Sequence, residues 1–144
     1  MTPQILVCDD EPHVIRAISL RLSRADFDVK GVLDVDSCWR WLEQHSAPAL
    51  LIIDDALPTP AATADFLARI RREQRFADLS VIRLVAGQDE SFHEQFEFED
   101  VLAKPFSSHE LFESVCHMLG CDSGTLMAAS QGPTSRGRGA FATV

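Results

Sequence analysis

Asp9, Asp10, Asp54 and Lys104 are the residues whose types and neighbours offer chemistry. Asp9 and Asp10 stand in Cys8-Asp9-Asp10-Glu11-Pro12, directly after a short apolar run. Asp54 opens Asp54-Asp55-Ala56-Leu57-Pro58 after a second such run, and Lys104 precedes Pro105 after a third. Three carboxylates in one crevice repel one another, so they either take up protons or hold a cation. A small set of oxygen ligands suits Mg²⁺, which keeps several waters and commonly shares its shell with a phosphate. A lysine close by adds the remaining positive charge. Carboxylates, Mg²⁺ and lysine together are an arrangement for a phosphoryl group. Each fragment alone has a blander reading, since Asp-Asp after a strand is a common turn and helix cap. Their joint occurrence is what carries weight.

The elements that must position these groups alternate along the chain. Apolar, β-rich runs at residues 5–8, 27–32, 50–53, 81–85 and 101–103 predict five strands. Between them Val14, Ile15, Ile18 and Leu22 recur at helical spacing, with Arg16, Arg21 and Arg24 facing away. Trp39 and Leu42 mark a second helix, for which Asp36 is the expected N-cap. Trp39 and Trp41 lie two apart on it, so one of the pair is expected at the surface. Phe66, Leu67 and Ile70 mark a third helix, closed by Arg69, Arg71, Arg72 and Arg75, where cations suit a C-terminus. The last helix opens with Ser107-Ser108-His109-Glu110, a capping box, and continues through Leu111, Val115, Met118 and Leu119. Residues 50–53 are apolar consecutively rather than alternately, the pattern of a strand covered on both faces. The chain is therefore expected to be a doubly wound α/β fold with a parallel sheet. Such folds bind ligands outside the carboxyl ends of the strands, where the charged groups above fall.

The motifs Ile5-Leu6-Val7-Cys8-Asp9-Asp10-Glu11-Pro12, Leu51-Ile52-Ile53-Asp54-Asp55-Ala56-Leu57-Pro58 and Lys104-Pro105-Phe106-Ser107-Ser108-His109-Glu110-Leu111 resemble the receiver domain of two-component response regulators. The resemblance covers residues 4–119. It implies a flavodoxin-like five-stranded sheet of order 2-1-3-4-5 with helices on both faces. It also implies that Asp54 accepts a phosphoryl group from a histidine kinase, a phosphotransfer protein or a small phosphodonor. Asp10 would hold Mg²⁺ directly, Asp9 largely through water, and Asp54 and the backbone carbonyl of Ala56 would complete the site. Lys104 would pair with a phosphoryl oxygen, and the Lys104–Pro105 peptide would be cis. The chain's own chemistry would be limited to self-phosphorylation and slow autodephosphorylation, so it is not expected to be an enzyme in any wider sense.

Departures from the family gather in the half that reads out phosphorylation. Val85 stands where the family has a Thr or Ser whose hydroxyl contacts the phosphoryl group, and Val101 where an aromatic ring usually moves. Valine has nearly the shape of threonine but donates no hydrogen bond. The spacing from Val85 to Lys104 is short for a loop, a fourth helix and a second loop. Within it, residues 88–100 hold six acids and no Lys or Arg, interleaved with Phe92, Phe96 and Phe98, which are read as core-facing anchors. The loop after Asp54 has Pro58 and Pro60 in place of the usual glycine and should be stiff.

Length, charge and cysteine use bound what else the chain could be. With 144 residues it is one domain, and 46% hydrophobic content suffices for a core. A formal charge of −9 repels phosphate backbones and anionic membranes, so direct nucleic-acid or membrane binding is disfavoured. The longest apolar run, residues 47–53, is far too short to span a bilayer, and there is no secretory signal. Cys8, Cys38, Cys116 and Cys121 form no disulfide framework and read as cytoplasmic thiols. His13, His45, His93, His109 and His117 show no metal-ligand spacing. Residues 1–119 are expected to form the domain. Residues 120–144, rich in Gly, Ser and Thr, read as a tail or the start of a linker to a downstream output domain. Two alternatives stand beside the phosphoacceptor. One is a receiver-like interaction module independent of phosphate, suggested by Val85 and Val101; a weak homodimer would suit either reading. The other is a Mg²⁺-dependent phosphohydrolase, which normally wants Asp-x-Asp and a lid, and finds neither here.

Overall fold

The first strand, β1 (Gln4–Cys8), has four consecutive side chains with no solvent exposure, from Ile5 to Cys8. Only a central strand with both faces covered produces that pattern. A computed structural model of the chain, describing residues 2–87 and 98–121, shows how it is covered. After β1 come α1 (Pro12–Arg24), β2 (Asp28–Val32), α2 (Val35–Gln44), β3 (Leu50–Asp54) and α3 (Pro60–Arg72). A short 3₁₀ turn at Gln74–Phe76 leads into β4 (Val81–Ala86); β5 (Glu99–Lys104) and α4 (Ser108–Leu119) complete the described elements. The five strands are all parallel and run in the order β2-β1-β3-β4-β5. This is the expected doubly wound sheet. β5 is longer than its apolar run, starting at Glu99.

Local signals set the helix ends. Pro12 and Pro60 open α1 and α3, where a missing N–H costs nothing and a fixed φ suits the first turn. Thr59 caps α3 by accepting from the N–H of Ala62, and Ser107 with Glu110 forms the expected capping box on α4. The cap of α2 is Asp34 rather than Asp36. The helix begins two residues earlier than that cap implies, and the Asp34 carboxylate accepts from the N–H of Ser37 at 2.7 Å. These bonds hold the Asp34 carboxyl below the usual carboxylate range.

The sheet divides the interior into two layers. Ile5, Val7, Ile52, Ile82 and Leu84 point toward α1 and α4, meeting Ile18, Leu22, Phe112 and Val115. Leu6, Leu51, Ile53 and Val81 point the other way, onto Leu42, Phe66, Ile70 and Phe76. Each such fully buried side chain contributes about 1.5–3 kcal/mol. Neither tryptophan is fully at the surface, contrary to the spacing argument. Trp41 is buried and stacked on His45, while Trp39 is half-buried, edge-on to Phe66 and Phe76 with the Arg69 guanidinium 3.9 Å above it. Phe98, expected in the core, is 40% exposed and has a positive φ of 67°. The expected fourth helix, Phe92, Phe96, His93 and most of the acidic stretch lie outside the described residues, as does the tail from residue 122.

Candidate phosphoacceptor site

Register builds the site. Cys8 pairs with Ile53 across β1 and β3, so Asp9 and Asp54 follow at the same height on neighbouring strands. Asp54 pairs with Leu84 and Ala86 with Lys104, which brings the end of β5 to the same edge. Lys104 stands two strands from Asp54, and its long arm spans β4. Its Nζ reaches Asp54 Oδ1 at 2.7 Å, Asp9 Oδ2 at 2.9 Å and Glu11 Oε2 at 3.2 Å. The ammonium has three protons, and three carboxylates take them. Burial works to lower the Lys104 pKa, but the hydrogen bonds to Asp54 and Asp9 outweigh it and hold the group above its usual value. Asp9 is fully buried. Burial lifts its pKa, against the hydrogen bonds from Lys104 and from the N–H of Glu11.

The structure thus joins Asp9, Asp54 and Lys104 directly. Asp10 is exposed on the β1–α1 loop, and a carboxylate oxygen from each of Asp9, Asp10 and Glu11 lies within 4.8 Å of the others. Ala56 donates its N–H to Asp54 Oδ2 at 3.0 Å, fixing the side chain expected to react. Lys104–Pro105 is cis, as is Leu57–Pro58 in the loop after Asp54, which the sequence did not suggest. Val85 is buried at the end of β4, and Val101 is half-buried on β5.

Three further residues shape the site. Glu11, next in the chain after Asp10, completes the acidic triplet. Thr63 is fully buried on α3; its hydroxyl accepts from the N–H of Leu57 at 2.9 Å and donates to the Asp54 carbonyl at 3.3 Å, tying down the β3–α3 loop. A lone Thr among alanines carries no sequence signal. Arg83 does carry one, because a cation within a strand covered on both faces needs a carboxylate. It clasps Asp55 Oδ1 through Nε at 3.1 Å and Nη2 at 2.7 Å, and lies 3.9 Å from Glu99, which also pairs with Arg71. The residue next to Asp54 is thereby linked to both strands beyond it.

The fold, the crevice at the strand ends and the aspartate–lysine contact define a receiver. Residues 5–116 match the family model of the response regulator receiver domain, and the chain belongs to that family. It is 32% identical over 120 residues to the DNA-binding dual master transcriptional regulator RpaA of Synechocystis sp., covering 81% of this chain and 49% of that protein. It is 33% identical over 119 residues to the transcriptional regulatory protein GltR of Pseudomonas aeruginosa, covering 80% and 48%. The chain spans about half the length of these relatives. Among solved structures, a putative response regulator from Chloroflexus aurantiacus superposes with a TM-score of 0.74 at 25% identity, covering 84% of this chain and all of that one. The chemotaxis response regulator CheY4 of Vibrio cholerae, at 18% identity and a TM-score of 0.72, shows the same fold. No described helix is long and apolar enough to cross a membrane.

Proposed function

We propose that Asp54 is the phosphoacceptor of a phosphorelay, taking a phosphoryl group from the phosphohistidine of a sensor kinase or phosphotransfer protein. One observation carries this reading: Lys104, from two strands away, is held against Asp54 Oδ1 at 2.7 Å while Ala56 fixes the other oxygen. In the transfer an Asp54 oxygen bonds to phosphorus as the P–N bond to imidazole breaks, and the departing imidazole takes up a proton. Little covalent machinery is needed beyond positioning and charge neutralisation. Lys104 follows the charge: its protons, now shared with Asp9 and Glu11, turn to the new phosphoryl oxygens. The oxygen donors of Asp9, Asp10 and Glu11, within 4.8 Å of one another, fit Mg²⁺, and Asp54 and the Ala56 carbonyl would complete the set. When bound, Mg²⁺ neutralises phosphoryl charge. The same site would self-phosphorylate from a small phosphodonor and lose the group slowly to water.

The receiver body is proposed to be residues 1–119, in the cytosol, with the remaining chain leading toward an output domain or partner and a weak homodimer as the assembly. Val85 and Val101 weaken the usual coupling of phosphorylation to output. The test is incubation with acetyl phosphate and Mg²⁺ followed by intact-mass and peptide analysis. One added phosphoryl group on Asp54, absent in Asp54→Asn, supports the assignment. Modification of Asp55 instead, or none, overturns it.

A further inference from the structure

The C-terminal cap of α4 brings two thiols together. Gly120 adopts the left-handed conformation, φ +73°, and the N–H groups of Gly120 and Cys121 both donate to the carbonyl of Cys116, at 2.7 and 3.2 Å. In this kind of cap the residue just past the glycine folds back onto the one five positions earlier, and the contact is ordinarily apolar. Here both positions are cysteine. Their Sγ atoms lie 3.0 Å apart, with Cys121 facing solvent and Cys116 buried beneath it. Closing a bond from there needs the two sulfurs to approach by about 1 Å.

We propose that Cys116 and Cys121 form a redox modification site, a dithiol that closes to an intramolecular disulfide by exchange with a small disulfide such as oxidised glutathione. The Cys121 sulfur, as thiolate, attacks one glutathione sulfur; the S–S bond breaks and the first glutathione leaves as thiolate. The Cys116 thiolate then attacks the Cys121 sulfur of the mixed disulfide and expels the second glutathione. The two protein thiols are oxidised, one glutathione disulfide is reduced to two thiols, and the two protons pass to these. The first step needs an encounter with the small disulfide in solution. The second is intramolecular between atoms already in contact and is fast. The other close pair, Cys8 and Cys38, is fully buried, and the hydrogen bond between them together with burial pushes the Cys8 thiol far up, so it takes no part. The bond would tie down the end of α4. The site stands apart from the Asp54 crevice and does not rest on the phosphorelay reading.

The test uses the purified chain, undenatured, with oxidised glutathione at mildly alkaline pH, followed by intact mass and peptide mapping. The wild type should end lighter by two hydrogens, with Cys116 and Cys121 in one cross-linked peptide. Cys116→Ser should instead accumulate one glutathionyl group on Cys121, and Cys121→Ser should remain unmodified. A wild type that keeps a glutathionyl group on Cys121, that links into covalent dimers through Cys121, or that does not react would overturn the proposal.

Discussion

Lys104 satisfies three carboxylates at once, and one of them, Asp9, has no exposure to water. Removing the lysine therefore has two separable consequences. The folded state keeps a buried carboxylate without its cation, which costs about 3 kcal/mol, the low end for broken buried pairs because Lys104 is itself partly exposed. Since the folded-state pKa of Lys104 is raised, its stabilisation is complete below the lysine's ordinary value of 10.5 and is lost only as pH rises beyond it. Lys104→Met should then lower the melting temperature across the neutral range, read by calorimetry. It should also slow phosphorylation by acetyl phosphate about 10- to 150-fold, the equivalent of one charge-assisted hydrogen bond. A normal rate would mean that the lysine is only a structural counter-ion. Val85 is the second residue where a single group decides behaviour. On the proposed reading, the missing hydroxyl deprives phosphorylation of one contact that would favour the active state, since a ligand shifts an equilibrium only by its differential affinity. Val85→Thr should enlarge the amide shift changes at Ala86, Gly87 and Val101 on adding beryllofluoride and Mg²⁺, at some cost in stability from a buried hydroxyl. A wild type that already responds strongly across β4 and β5 would refute this.

At the scale of elements, α1 packs tightly over the edge strand β2. Gly31 pairs with Val7 on β1, and a Cβ built on it would strike Cγ2 of Ile15, a stiff β-branched side chain. Gly31→Ala should therefore destabilise the fold by about 1–3 kcal/mol, the usual cost of overpacking, with Ala recovered in part by Ile15→Ala in the same chain. Denaturant melts of the four variants would read this directly; an additive outcome would mean that the contact is relieved elsewhere. None of this was legible in the sequence, where Gly31 is one glycine among seven. The consecutive apolar residues of β3, the Ser107–Glu110 capping box and the carboxylates after β1 and β3 were legible, because each depends on neighbours close in sequence. Asp34 was missed as the cap of α2 because Asp36 sits two residues on and only the chain's turn into the helix separates them. Thr63 and the Arg83–Asp55 clasp were missed for a different reason. Their partners are 9 and 28 residues away: nothing local announces the Thr63 bond, and Arg83 inside an apolar strand announces the need for a carboxylate but not that Asp55 supplies it.

At the scale of the whole molecule, the question is whether a cation acts on the acidic body at large or on one crevice. The chain carries a formal charge of −9, so any salt relieves some self-repulsion. A site at Asp9, Asp10 and Asp54 makes a different demand, because a ligand of the native state alone stabilises by mass action. At 100 times its Kd the gain is about 2.7 kcal/mol, and each kcal/mol is worth roughly 3–6 °C in a domain of this size. Mg²⁺ should thus raise the melting temperature by several degrees along a curve with the logarithmic form of site binding, whereas NaCl at equal ionic strength should do much less. Asp10→Asn should remove the Mg²⁺-specific part. Asp10 is exposed and crowded by Asp9 and Glu11, so the same change should leave the metal-free protein slightly more stable by relieving repulsion. Equal responses to the two salts, or an unchanged Mg²⁺ response in Asp10→Asn, would show that screening of the acidic surface accounts for the effect. The crevice would then need Lys104 alone to balance its charge.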